Sequence, residues 1–191
     1  MLGNERTMPS FLHEVFGAKQ SVGTILAIVA IGTGIACALW LGFPDSTVDL
    51  PAWRTALALL LIFDVGAGCA ANFTASTNDF YAADRRKGWL FIAVHAHLPV
   101  IAALLGADLG PALAVWAFTI SGASAVYALS ARPFQRFIGG MLLAAGVVLV
   151  ALLPYRTEWM SAVSLLFMLK VLYSFAVDHE GRNAGTGNGA P

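Results

Sequence analysis

Six stretches of the chain are apolar over nearly their whole length, at roughly residues 21–43, 52–73, 88–106, 111–130, 134–154 and 159–178. Each is close to the about 20 residues that a helix rising 1.5 Å per residue needs to cross the hydrocarbon of a bilayer. Pro51, Pro111 and Pro133 stand where runs begin, the position at which a missing N–H costs least, and Pro154 closes the fifth run. The pattern predicts an all-α polytopic membrane protein, a six-transmembrane-helix bundle forming one domain over residues 21–180.

The flanks read differently. Residues 1–20 are polar with scattered apolar positions, an N-terminal cytoplasmic or interfacial segment. Within it, Ser10 followed by Phe11, Leu12, Val15 and Phe16 predicts a short helix lying at the membrane surface. Residues 181–191, rich in Gly and Asn, are expected to be a disordered tail. Ala36-Cys37-Ala38 imitates a signal cleavage site, but Leu39-Trp40-Leu41 continues the apolar run, so the first run is read as a retained signal-anchor.

Composition agrees with the pattern. Of 191 residues 58% are hydrophobic and 12% charged, with mean hydropathy +0.74, whereas soluble domains run near about 25% charged. Net charge is zero and no basic patch is interleaved with aromatics, which argues against a nucleic-acid partner. Cys37 and Cys69 fall near opposite ends of neighbouring runs; they read as small buried residues and not as a disulfide or a zinc motif.

Orientation follows from the short loops. Arg6, Lys19, Arg85, Arg86, Lys87, Arg132, Arg136 and Arg182 fall on one side, and only Arg54 and Arg156 on the other. By the positive-inside bias both termini are cytoplasmic, in a multi-pass protein of the inner (plasma) membrane. Small residues at helix-packing spacing (Gly32 with Ala36, Gly34 with Ala38, Ala67 with Ala71, Gly140 with Ala144) let backbones approach closely in lipid.

Four ionisable side chains interrupt the runs: Asp64, His95, His97 and Lys170. Counted from the cytoplasmic ends at 1.5 Å per residue, they lie roughly 14, 10, 14 and 12 Å deep. Three runs thus deliver an acid, a base and an imidazole to one layer, and intramembrane ionisable groups mark functional sites by default. An Asp64–Lys170 ion pair is the simplest arrangement, since each charge alone is costly in hydrocarbon. These four residues are the expected substrate or ion site.

On a regular helix His95 and His97 point about 200° apart, so both cannot ligate one ion. No metal site and no cofactor are predicted. Pro99 lacks the N–H that would bond the His95 carbonyl, which predicts a kink and a freed carbonyl in the same layer. Lys170, Ser174 and Asp178, with Tyr173 beside them, form a polar stripe at i, i+4 and i+8. Asp64, Gly68 and Asn72 form a parallel one, and the two would enclose a crevice open to the cytoplasm. Thr77 and Asn78, in the polar connection 74–87, stand at its mouth. The expected access path is therefore Asn72, Thr77, Asn78, Tyr173, Ser174 and Asp178.

No nucleophile elbow, phosphate-cradling glycine loop or pair of metal-binding histidines at helical spacing is present. The reading that follows is movement of a proton, ion or small polar solute across the bilayer. A rival is an intramembrane enzyme using Asp64 and a histidine as acid and base on a lipid or small amphiphile. A third class is an accessory subunit, whose small-residue faces would dock a second copy or a partner in a membrane complex.

Overall fold

A computed structural model describes residues 5–180; the first four residues and the tail from 181, with the disorder expected for it and Arg182, lie outside the described residues. The chain opens with a short antiparallel hairpin, β1 (Glu5–Thr7) paired to β2 (Lys19–Ser21), enclosing a 3-10 turn and one turn of helix, α1 (His13–Phe16). The expected surface helix is therefore a single turn held inside a hairpin.

Six helices among the described residues are long and apolar enough to cross a membrane. They are α2 (Val22–Gly42), α3 (Ala52–Ala71), the interrupted span Arg85–Leu105, α7 (Leu109–Ala128), α8 (Gln135–Leu152) and the span Glu158–Phe175. Their ends fall within three residues of the apolar runs. A short helix, α4 (Ala75–Ala82), precedes the third span, which is built from α5 (Arg85–Val94) and α6 (His97–Leu105). The last span starts as α9 (Glu158–Met168) and continues as a π-helix from Leu169 to Phe175.

Local chemistry sets these boundaries. Ser21 caps α2 by accepting the Thr24 N–H at 3.1 Å, and Asp84 caps α5 through the Arg86 N–H at 3.0 Å. Gly106 ends α6 at φ +72°, a conformation that glycine adopts without strain.

The helices pack through small residues, as far as the partner helix is close. Gly32 meets Ala67 across the α2–α3 contact, where a Cβ at Gly32 would come within 2.9 Å of the Phe63 carbonyl oxygen, and Ala36 one turn on is buried. Gly34 and Gly140 instead have no atom within 4 Å of an added Cβ, and Ala38 and Ala144 are exposed. Gly139 and Gly146 make the close contacts of α8, against Val177 and Met168. Both cysteines are free; Cys69 is buried, but Cys37 is exposed on the outer face of α2, contrary to its expected burial.

The end of the bundle opposite the hairpin is closed by packing. Ala58 and Ile62 of α3, Leu98 and Ile101 of α6, and Trp159, Met160 and Val163 of α9 are fully buried there. Asp108 locks the corner beside them. Its Oδ1 accepts the Arg156 N–H at 2.7 Å and its Oδ2 the Thr157 N–H at 2.8 Å, satisfying main-chain donors at the start of the last span. Asp108→Ala leaves both donors without that acceptor and should cost about 1–3 kcal/mol for each that stays dry. Thermal unfolding in detergent should show a marked fall for Asp108→Ala and a smaller one for Asp108→Asn, which keeps one acceptor oxygen.

Candidate functional site

Asp64 sits two turns from the end of α3, where the backbone of the last span departs from α-helical hydrogen bonding. In that π-helical stretch the Lys170 carbonyl is bonded by side chains, Asn72 Nδ2 at 3.2 Å and Ser174 Oγ at 2.9 Å. This turns the Lys170 side chain toward α3. Its Nζ lies 2.5 Å from Asp64 Oδ2 and 3.3 Å from the Asp64 carbonyl oxygen. The sequence-expected ion pair is formed.

Gly68, one turn beyond Asp64, makes room for it. A Cβ at Gly68 would fall on Lys170 Cε and within 2.9 Å of Nζ. A side chain at this position would have to displace the lysine crossing over the α3 backbone.

The histidines arrive by a break in the third span. α5 stops at Val94 and α6 starts at His97, with His95 and Ala96 outside regular helix. The expected opposition of about 200° between the two imidazoles is therefore overturned, because it assumed a continuous helix. Their ring centroids are 4.9 Å apart, and His97 Nε2 lies 3.3 Å from Asp64 Oδ2. The kink expected from Pro99 is present, and the freed His95 carbonyl accepts the Trp116 indole N–H at 2.8 Å.

Hydrogen bonding sets the state of His95. Its Nδ1 is 2.6 Å from the Phe91 carbonyl oxygen, which only accepts, so Nδ1 carries the proton and Nε2 is a bare acceptor. That Nε2 is buried without a hydrogen-bond partner, and so is His97 Nδ1. With His97 presenting an N–H to the aspartate through Nε2, two neighbouring imidazoles each keep an unused lone pair.

Asp64, His95, His97 and Lys170 together line a cavity of about 410 Å³. The Asp64 side chain is 44% exposed there, whereas Lys170 is 5% exposed. Gly68, Ala71 and Asn72 of α3 form one wall, and Lys87, Leu90, Phe91 and Val94 of α5 form the other. Glu14 and Val15 of α1 and Tyr81 of α4 cover the top. Among the described residues no group of three or more His, Cys, Asp or Glu side chains is arranged to hold a metal ion.

The expected access path is only partly assembled. Asn72 lines this cavity and also a smaller one of about 70 Å³, which Thr77, Asn78 and Asp178 share. Ser174 and Tyr173 line neither: Ser174 is buried and donates to the Lys170 carbonyl, and Tyr173 packs on Phe73 and His179. The extra backbone residue of the π-helix rotates them off the Asp64 face, so the i, i+4 stripe does not form. Asp178 is turned to Asn78, whose Nδ2 donates to its Oδ1 at 3.3 Å.

Sequence reasoning missed the cover. Thr77 Oγ1 donates to the Val15 carbonyl at 3.1 Å, and the Tyr81 hydroxyl to the Glu14 carbonyl at 3.0 Å. Burial, reinforced by the Glu14 charge, pushes the Tyr81 hydroxyl well above the ordinary phenol range, so it remains a donor at physiological pH. The only signal in the sequence was the Thr and Tyr spacing on α4, which needs the α1 contact to acquire meaning.

Gly68→Ala should displace the lysine from the aspartate and cost about 1–3 kcal/mol in thermal unfolding. Gly140→Ala, where a Cβ meets nothing within 4 Å, should leave stability unchanged or raise it by up to about 1 kcal/mol. Compared with known protein families, curated proteins and solved structures, the chain matches none.

Proposed function

We propose that the chain is a six-span protein of the bacterial-type inner membrane, both termini cytoplasmic, that takes up a proton at the Asp64–His97–His95 cluster to move a small solute. The observation that carries this reading is the pair of neighbouring imidazole nitrogens without hydrogen-bond partners beside an ion-paired carboxylate. A proton can be added to either lone pair without breaking a hydrogen bond, and the Asp64 carboxylate 3.3 Å from His97 Nε2 stabilises the charge that results. Histidine is the side chain suited to exchange protons near neutral pH. Among the described residues, seven Lys and Arg (Arg6, Lys19, Arg85, Arg86, Lys87, Arg132 and Arg136) on the hairpin side support the orientation.

The cavity lies on the hairpin side of the cluster, beneath the cover of α1 and α4, while fully buried apolar packing closes the other side. A site open to one side at a time is what a carrier needs, and a continuous pore would leak protons. The break at His95 and Ala96 supplies a hinge about which α6 can move against α3. In this mechanism Asp64 stabilises the protonated His97, and Lys170 keeps the carboxylate neutralised when the proton leaves.

A second reading draws on the 3.3 Å Asp64–His97 contact at the floor of an open cavity, an arrangement suited to acid–base chemistry on an amphiphile. Flux separates the two. In proteoliposomes, His95→Gln and His97→Gln should each fold as the native chain does and abolish proton flux driven by a pH gradient. Native flux in both variants would remove the proton-carrying role.

A further inference from the structure

The break in the third span has a consequence for what the cavity can admit. Both halves pack on α7, but α6 also packs along α3, whereas α5 packs on α4 and stands off from α3. Above His97 the cavity lies in the cleft between α3 and α5. At its edge stand Leu90 and Val94, 62% and 60% exposed on the outer surface of α5. In a bilayer that surface faces acyl chains, so the cleft opens sideways into lipid, beneath the cover of α1.

The floor selects the opposite character. Its accessible charged group is the Asp64 carboxylate, which only accepts hydrogen bonds. The Lys170 ammonium is almost wholly covered and its donors are turned to two Asp64 oxygens. Lys87 belongs to the wall, where its Nζ lies 4.3 Å from the centre of the Phe80 ring in a cation–π contact. His95 Nε2, which is buried, also lacks a partner. An accessible acceptor with committed donors repels a carboxylate or phosphate head and welcomes an O–H or N–H donor.

We infer that the substrate of this site is a single-chain amphiphile with a hydrogen-bond-donating head, a primary alcohol or amine, that enters from the lipid between α3 and α5. The inference rests on the Asp64 cavity being the substrate site of the proposed carrier. The head lies against Asp64, and the chain runs out past Phe91, Leu90 and Val94. The size is suitable, since about 410 Å³ falls within the range of small-molecule sites, about 300–1,000 Å³.

The test is photolabelling of the full chain in lipid nanodiscs with hexadecylamine carrying a diazirine near its head, read by peptide mass spectrometry. Adducts are expected on α3 and α5 at the cleft, lost when excess unlabelled hexadecylamine or hexadecanol is added and retained with excess hexadecanoate. Leu90→Trp, which fills the cleft edge without touching the ion pair, should abolish this labelling. Labelling spread over the outer faces of α2 and α8 alone, or equal competition by hexadecanoate, overturns the inference. Labelling reports occupancy without flux, so its failure is separate from native proton flux in the histidine variants, the result that would remove the carrier reading.

Discussion

Two opposite charges deep in an apolar bundle depend on each other, and the Asp64–Lys170 pair organises the structure around it. Each charge alone would be expensive in hydrocarbon, and desolvation of the pair is repaid only by close geometry with further hydrogen bonds. That geometry draws in its surroundings. Gly68 clears the path of the lysine, and Asn72 and Ser174 hold its carbonyl. The π-helical register turns its side chain to α3. The last span gives up regular backbone bonding at the place where it delivers the charge.

The third span makes a corresponding concession. Ending α5 at Val94 and restarting at His97 exposes main-chain groups at membrane depth, and these are met inside the protein. Trp116 donates to the His95 carbonyl, and His95 donates to the carbonyl of Phe91. Among the described residues four buried side-chain atoms remain without a partner: His95 Nε2 and His97 Nδ1 beside the ion pair, and Thr119 Oγ1 and Trp159 Nε1 elsewhere in the bundle. Such groups are rare in folded proteins, and the pairing of two of them on neighbouring imidazoles supports the proposed proton site. The same break opens the cleft that makes the aspartate accessible.

The spans were legible because apolar length alone defines a helix that crosses a bilayer, and proline marks its start. Asp64 and Lys170 were legible as a pair because depth can be counted along helices of known rise. The relation of His95 to His97 was not, since counting at 100° per residue assumes the continuity that Pro99 removes. Ser174 and Tyr173 failed for the related reason that one inserted residue rotates everything after it. Gly34 and Gly140 carry the same spacing as Gly32 yet face outward, because a small-residue motif states that a neighbour can approach and not that one does. The cover formed by α1 depends on main-chain carbonyls of Glu14 and Val15, which leave no trace in side-chain pattern.

The central claim is that the buried charge pair belongs to a working proton site and is more than a brace between α3 and the last span. Replacing both partners by apolar residues of similar volume removes the charges without leaving either unpaired, which buried pairs commonly tolerate. Proton flux through the Asp64→Leu, Lys170→Met double variant, reconstituted after its melting in detergent has been matched to the native chain, decides the matter. The account predicts a folded protein with flux abolished; a folded protein carrying protons at the native rate would contradict it.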